Sequence, residues 1–305
     1  MIARKANRPS FTQKYQREKF SVRARNFSIA LGEKTSLMGI LNITPDSFSK
    51  DGVLKKYGYD VQKNIEAAQR IIHAGANIID IGGESTRPNS QPISEHEELK
   101  RIIPTINTLA KKIKIPISVD TYKETVAQHA LDNGASIINN IMGTKITKQF
   151  LQMVKSYSAA IVLMHMRGTP QTMQKKTNYT NLISEIIVEL QKSIEKCLEA
   201  GIKSDRIIID PGIGFAKTAD QNFEILKKLG EFKTLKQPIL IGTSRKSFIG
   251  KILGNDADER LFGTMATVCS SILSGAHIVR VHDVKAVHDA AQVTDAILNA
   301  NGSAN

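Results

Sequence analysis

The sequence predicts an α/β fold, a (β/α)8 TIM barrel forming one domain behind a basic N-terminal extension. Three observations carry that expectation. Eight short, almost wholly apolar segments recur, near residues 37–41, 77–82, 115–119, 136–141, 160–164, 206–210, 238–242 and 276–281. Strands buried on both faces, as in helix-covered parallel sheets, read this way. Helical patterns are plausible between most of these segments. Finally, four helical stretches run into a glycine and at once into a β-branched strand: "IIHAGANIIDIGG", "ALDNGASIINNI", "CLEAGIKSDRIIIDPG" and "ILSGAHIVRVHD". Gly75, Gly134, Gly201 and Gly275 each fit the position just past a helix C-terminus, where φ is often positive. Eight such alternations over about 270 residues suit a closed barrel. A doubly wound open sheet is the alternative, and it would concentrate chemistry at fewer strand ends.

The elements follow in order. Of the net charge of +13, +7 falls on residues 1–25, which hold eight Lys or Arg and one acid. A basic arm can bind nucleic acid or direct targeting. Without interleaved aromatic residues it reads here as a solvated extension, and no nucleic-acid partner is expected. Residues 1–35 are therefore expected to form a basic extension and a segment at the barrel bottom, and residues 36–300 the barrel. Ser94 with Glu97 forms a capping box before "LKRIIPTINTLAKKI", and Asp256 with Glu259 a similar start before "RLFGTMATVCSSIL". No run of 18 apolar residues predicts a membrane span, and no apolar h-region predicts a signal peptide. Cys197 and Cys269 are far apart and lack metal spacing. That argues for a reducing, cytoplasmic setting and against a disulfide framework.

Polar residues follow nearly every strand: "NITPDSFS", "GGESTRP", "DT", "NN", "MHMRG", "DPGIGF", "GTSRKSFIG" and "RVHD". In a barrel these converge on one face, where barrel enzymes keep their active sites. Two chemistries separate. Asp120, Asn139, Asp210 and Lys246 suit a heterocycle: buried carboxylates need donors, and an amino group beside a ring N–H supplies two in parallel. Ser244, Arg245, Arg280 and His282 seek an anion, because Arg presents a planar fork to phosphate oxygens and barrels often bind phosphate after strands seven and eight.

At this point the chain resembles dihydropteroate synthases, enzymes of folate synthesis. The resemblance rests on "MGILNITPDSFS", "IDIGGESTRP", "DPGIGF", "SRKSFIG" and "RVHDV", in order over roughly residues 36–295. It implies condensation of a dihydropterin methyl diphosphate with p-aminobenzoate, with pyrophosphate as leaving group, and inhibition by sulfonamides. It implies that Asp120, Asn139, Asp210 and Lys246 hold the pterin, with Met164 and Phe215 packed around it. Asn42, Arg280 and His282 would hold the diphosphate, with Val281 in the same substrate-binding segment and Mg2+ at Asn42. Thr86 would contact the second substrate, Arg87 would help balance the anionic diphosphate and the acidic loop, and Ser247 would receive the p-aminobenzoate carboxylate. A homodimer is implied as well.

Glu84 is read as a structural hydrogen-bonding group and His165 as a packed barrel histidine. The chain departs from the usual pattern at several points. Lys50-Asp51-Gly52 stands where an acid followed by glycines is common, which makes Asp51 the candidate for the catalytic loop acid. Asn89 stands for Gly, Asn140 for Asp and Ile213 for Phe. A pterin-dependent methyltransferase and a non-catalytic pterin-binding paralogue are the rival readings.

Overall fold

The computed structural model describes residues 17–44, 60–85 and 90–300. A hairpin of β1 (Phe20–Ala24) and β2 (Phe27–Leu31) comes first, paired antiparallel from Phe20–Leu31 to Ala24–Phe27. Then β3 (Ser36–Asn42), β4 (Ile78–Gly82), β5 (Ile117–Asp120), β6 (Ile137–Asn140), β7 (Ala160–Met164), β8 (Ile207–Asp210), β9 (Leu240–Ile241) and β10 (Ile278–Val281) form one parallel sheet. Its order is β8-β7-β6-β5-β4-β3-β10-β9. A parallel bridge between Ile209 and Ile239 joins the two ends and closes the barrel.

The helices of the outer ring are α1 (Val61–His73), α2 (Glu95–Ala110), α3 (Glu124–Asp132), α4 (Lys148–Ser156), α5 (Leu182–Glu199), α6 (Ala219–Lys227), α7 (Ser247–Leu253), α8 (Leu261–Leu273) and α9 (Val284–Asn299). Ser94 caps α2 by accepting from the Glu97 N–H at 3.2 Å. The Asp256–Glu259 box closes a single 3-10 turn, and α8 begins only after it. Gly75, Gly134, Gly201 and Gly275 have φ of +107°, +108°, +84° and +108°. Each lets its helix stop; the next strand starts three residues later after Gly75, Gly134 and Gly275, and after a 3-10 turn (Ser204–Arg206) in the case of Gly201.

Alternation along the strands divides the interior in two. Leu37, Ile79, Ile81, Val119, Ile138, Ile161, Leu163, Ile209, Val279 and Val281 point outward into a continuous cluster with the helices. The opposite face looks down the barrel, where Met38, Ile78, Ile137, Ala160, Val162, Ile208, Leu240 and Ile278 fill the lower half. Val22, Ala24 and Leu31 of the hairpin join that cluster and stopper the N-terminal end. Arg25 pins the hairpin by donating to the Leu131 and Ala135 carbonyls at 2.7 and 3.0 Å.

The arm is not wholly a solvated extension. Arg17, one of its basic residues, has a buried side chain and pairs with Asp295 of α9 at 2.5 Å. The buried hairpin strands likewise belong to the folded body.

Candidate active site

The inward face that carries isoleucine and methionine low in the barrel carries polar groups at its C-terminal end. Asn42 ends β3, Asp80 lies in β4, Asp120 ends β5, Asn139 lies in β6, Met164 ends β7, Asp210 ends β8 and Arg280 lies in β10. Two-residue spacing makes this inevitable. Ile78 and Asp80, Ile137 and Asn139, Ile208 and Asp210, Ile278 and Arg280 each share a face one step apart.

The centre of this tier is ionic. Arg280 donates from Nε to Asp80 Oδ2 at 2.6 Å and from Nη2 to Asp120 Oδ2 at 2.7 Å. Asn139 adds Nδ2 to the same Asp80 oxygen at 3.1 Å. Asp80 Oδ1 and Asp120 Oδ1 are buried and have no hydrogen-bond partner among the described residues. An unpaired buried acceptor is costly, so such atoms mark places where a ligand donor fits. Burial pushes the Asp120 carboxyl up to about 7, with Asp80 raising it further and Arg280 opposing. Asp80 was not singled out from the sequence, although a carboxylate inside "NIIDIGG" is its own signal.

On the far side, Asp210 accepts the Gly212 N–H at 2.7 Å. Its carboxyl is raised by burial and held down chiefly by Lys246. Burial in turn lowers the Lys246 ammonium to about 8, against the pull of Asp210. Lys246 donates to the Ile213 carbonyl and stands 4.6 Å over the Phe215 ring. Met164, Met166, Met173, Ile141 and Ala216 form a small apolar cluster against Phe215, Tyr122 and Met142. Carboxylates facing an apolar, polarisable wall suit a flat heterocycle with donor groups on one edge.

Ser244 Oγ lies 3.0 Å from His282 Nδ1 and accepts the His282 backbone N–H at 3.2 Å. Arg245 is turned away into an ion pair with Asp283, Nε to Oδ2 at 2.9 Å. Val281 is fully buried in the helix-facing cluster, so its side chain does not enter the barrel mouth. Ser247 opens α7 and is exposed. Thr86, Arg87 and Asp51 lie outside the described residues.

Glu84 does have a structural network. Its carboxylate accepts from Ile93 N at 3.0 Å, Tyr122 OH at 2.9 Å and Lys123 Nζ at 2.6 Å. His165 is fully buried, between Glu189 and Lys217. Lys217, 3% exposed, is a further buried cation that its surface-like context "FAKTAD" did not announce.

Among the described residues no group of three or more His, Cys, Asp or Glu is arranged to hold a metal. Asn42 Oδ1 faces the space over Gly82, where an added Cβ would stand 3.5 Å from it. Mg2+ keeps several waters and takes most of its ligands from substrate phosphates, so the Asn42 amide oxygen would be one protein ligand among these.

A family model described as pterin binding enzyme matches residues 38–282. A dihydropteroate synthase of Synechocystis sp. is 47% identical over 267 residues, covering 87% of this chain and 91% of the relative. The chain belongs to the dihydropteroate synthase family. It is thus a transferase. Among solved structures, the dihydropteroate synthase of Yersinia pestis with a sulfonamide drug complex has a TM-score of 0.85 at 37% identity, covering 92% of this chain and 100% of that one. The Xanthomonas albilineans dihydropteroate synthase with 4-aminobenzoic acid also reaches 0.85, at 33% identity over 93% and 100%.

Proposed function

We propose that the polar tier divides the dihydropteroate synthase reaction among its groups, on the strength of one observation above all: the partnerless Asp80 and Asp120 oxygens in a barrel mouth that also holds Asp210. The chain condenses (7,8-dihydropterin-6-yl)methyl diphosphate with p-aminobenzoate, giving 7,8-dihydropteroate and pyrophosphate. Asp120 and Asp210 accept from the amino and ring N–H donors of the pterin. Asn139 and Lys246 face its remaining acceptors, and Met164 and Phe215 sandwich the ring.

His282 donates to the diphosphate. Arg280 adds charge to the same face while its fork is shared with Asp80 and Asp120. Mg2+, held by Asn42 and the diphosphate, would neutralise charge on the leaving group. Breakage of the carbon–oxygen bond leaves a cation stabilised by the electron-rich pterin. The protein's task is to hold the departing anion and keep water from the cation. The neutral arylamine then attacks without a strong base. Thr86 and Ser247 serve the p-aminobenzoate side, Arg87 helps balance the diphosphate charge, and Asp51 supplies the acid for the developing cation.

Among the described residues no helix is long and apolar enough to cross a membrane, and a cytoplasmic location accords with the two free cysteines. A homodimer is supported by exposed Ile252 and Leu253 on α7, Phe262 on α8, and Val293 and Ile297 on α9. The test is pyrophosphate release by the purified protein, which should need both substrates and Mg2+. Pterin binding without pyrophosphate would instead mean a binding paralogue, and methyl transfer a pterin-dependent methyltransferase.

A further inference from the structure

Lys217 takes no part in the division of labour above, yet it is almost fully buried beside the pterin pocket. Its Nζ donates to the Phe215 carbonyl at 2.9 Å and meets His165 Nδ1 at 3.1 Å. Burial lowers the Lys217 ammonium to about 7, against the pull of Asp210. Glu189, held down at about 2 against its burial by its bonds to His165 and Arg167, can only accept, so the imidazole proton sits on Nε2 and Nδ1 accepts from Lys217. That Nε2–H faces Glu189 Oε2 of α5 at 3.0 Å. Burial, aided by the Lys217 charge, holds His165 down at about 4, so the ring is neutral. Arg167 in turn donates from Nε to Glu189 at 2.9 Å and from Nη2 to Glu185 at 2.8 Å.

What this chain of bonds holds is the loop after β8. Gly212, at φ +75°, is pressed so closely to the end of β7 that a Cβ there would lie 2.0 Å from the His165 carbonyl. Lys217 fastens the Phe215 carbonyl and Tyr179 the next one, Ala216 O, at 3.1 Å. Gly212 supplies the N–H that Asp210 accepts, and Phe215 supplies the apolar wall. Lys217 also acts through its charge. With Lys246 and the Gly212 N–H it opposes the burial that would protonate Asp210. A protonated Asp210 would present a donor to the donors of the heterocycle.

We infer that Lys217 is a positioning residue for the pterin: through His165 and Glu189 it ties to α5 the loop after β8, which carries Phe215 and the Gly212 N–H that Asp210 accepts. The inference rests on the pterin reading of the site. The charged groups around Lys217 are Asp210 at the end of β8, Glu189 on α5, Arg167 after β7 and Lys246 after β9.

Lys217→Met keeps the volume and removes both the charge and the donors. It should raise the KM for the pterin diphosphate about tenfold while the KM for p-aminobenzoate stays within about twofold. In 15N NMR the His165 ring should take up its second proton at a higher pH than in the wild type, because the Lys217 charge no longer opposes it. Glu189→Gln, at the part-buried far end, should raise the pterin KM by a smaller factor. A folded Lys217→Met with unchanged pterin KM, or with both KM values raised in parallel, overturns the inference. If Lys217→Met does not fold, Glu189→Gln decides: an unchanged pterin KM overturns it. Should the wild type release no pyrophosphate, calorimetry with the uncharged pterin alcohol still reads the relay. A loss of affinity in Lys217→Met supports it and equal affinity refutes it.

Discussion

Arg280 donates to Asp80 at 2.6 Å, and the same guanidinium reaches Asp120 at 2.7 Å. An arginine proposed for the diphosphate therefore also neutralises Asp80 and Asp120. Removing one partner of a buried ion pair costs roughly 3–5 kcal/mol, because the remaining charge is stranded. Arg280→Met should accordingly weaken the uncharged pterin alcohol as well as the diphosphate, each by about tenfold or more. Calorimetry on both ligands checks this. Full retention of the alcohol, with loss of the diphosphate alone, would show that Arg280 serves only the anion.

Asp120 predicts a pH dependence. Burial raises its carboxyl to about 7, so in the free protein it takes up a proton as pH falls through neutrality. The protonated form presents a donor where the pterin needs an acceptor. Affinity for the pterin should thus fall from pH 8 to pH 6. Asp120→Asn should lose about 1–3 kcal/mol of binding at pH 8 and show a flatter profile below it. A variant as steep as the wild type between those pH values would assign the titration to another group.

The barrel was legible because its strands are buried on both faces and its helices stop at glycine. Each of the eight candidate segments overlaps a strand: six contain theirs, whereas β3 (Ser36–Asn42) overruns 37–41 at both ends and β5 (Ile117–Asp120) overruns 115–119 by one residue. The N-terminal hairpin was hidden behind its charge, although "FSVRARNFSIAL" alternates with period two around a two-residue turn. Alternation would also have separated Val281 from Arg280 and His282, since neighbours on a strand face opposite ways. Lys217 was not legible. Its burial comes from the loop after β8 folding over the end of β7, a long-range contact that no local pattern encodes.

Two histidines should make the fold acid-labile. Burial holds both His165 and His277 at about 4, against about 6.5 in an unfolded chain. Their contribution is fully present above pH 6.5 and is lost as pH falls toward 4, because the unfolded state binds the protons first. Asp120 runs the other way, its raised carboxyl favouring the folded state at low pH. His277 is remote from the site: Nδ1 accepts from Ile239 N at 3.1 Å, leaving Nε2–H for the Glu18 carbonyl at 3.0 Å. His277→Gln should show a shallower loss of urea midpoint between pH 6.5 and pH 4.5 than the wild type. An equal slope would remove His277 from the account.

The N-terminal arm should divide sharply at Arg17. Its guanidinium donates to Thr35 Oγ1 at 2.7 Å, to the Ala276 carbonyl at 3.1 Å and to Asp295 at 2.5 Å. Asp295 also accepts the Thr35 N–H at 2.6 Å. One side chain thereby links the segment before the hairpin, the start of β3, the approach to β10 and the last helix. Arg17→Ala strands the Asp295 carboxylate, at a cost of roughly 3–5 kcal/mol. In a chain of this length the melting temperature should fall on the order of 10 °C. Deleting residues 2–16 removes no contact of this clasp and should leave melting temperature and turnover near the wild type. Arg17→Met with Asp295→Leu, which removes both charges, should recover part of the loss, since replacing a buried pair by apolar groups is often neutral. Thermal melts of the three variants decide the matter: if the short deletion destabilises as much as Arg17→Ala, the clasp is not what anchors the N-terminal segment.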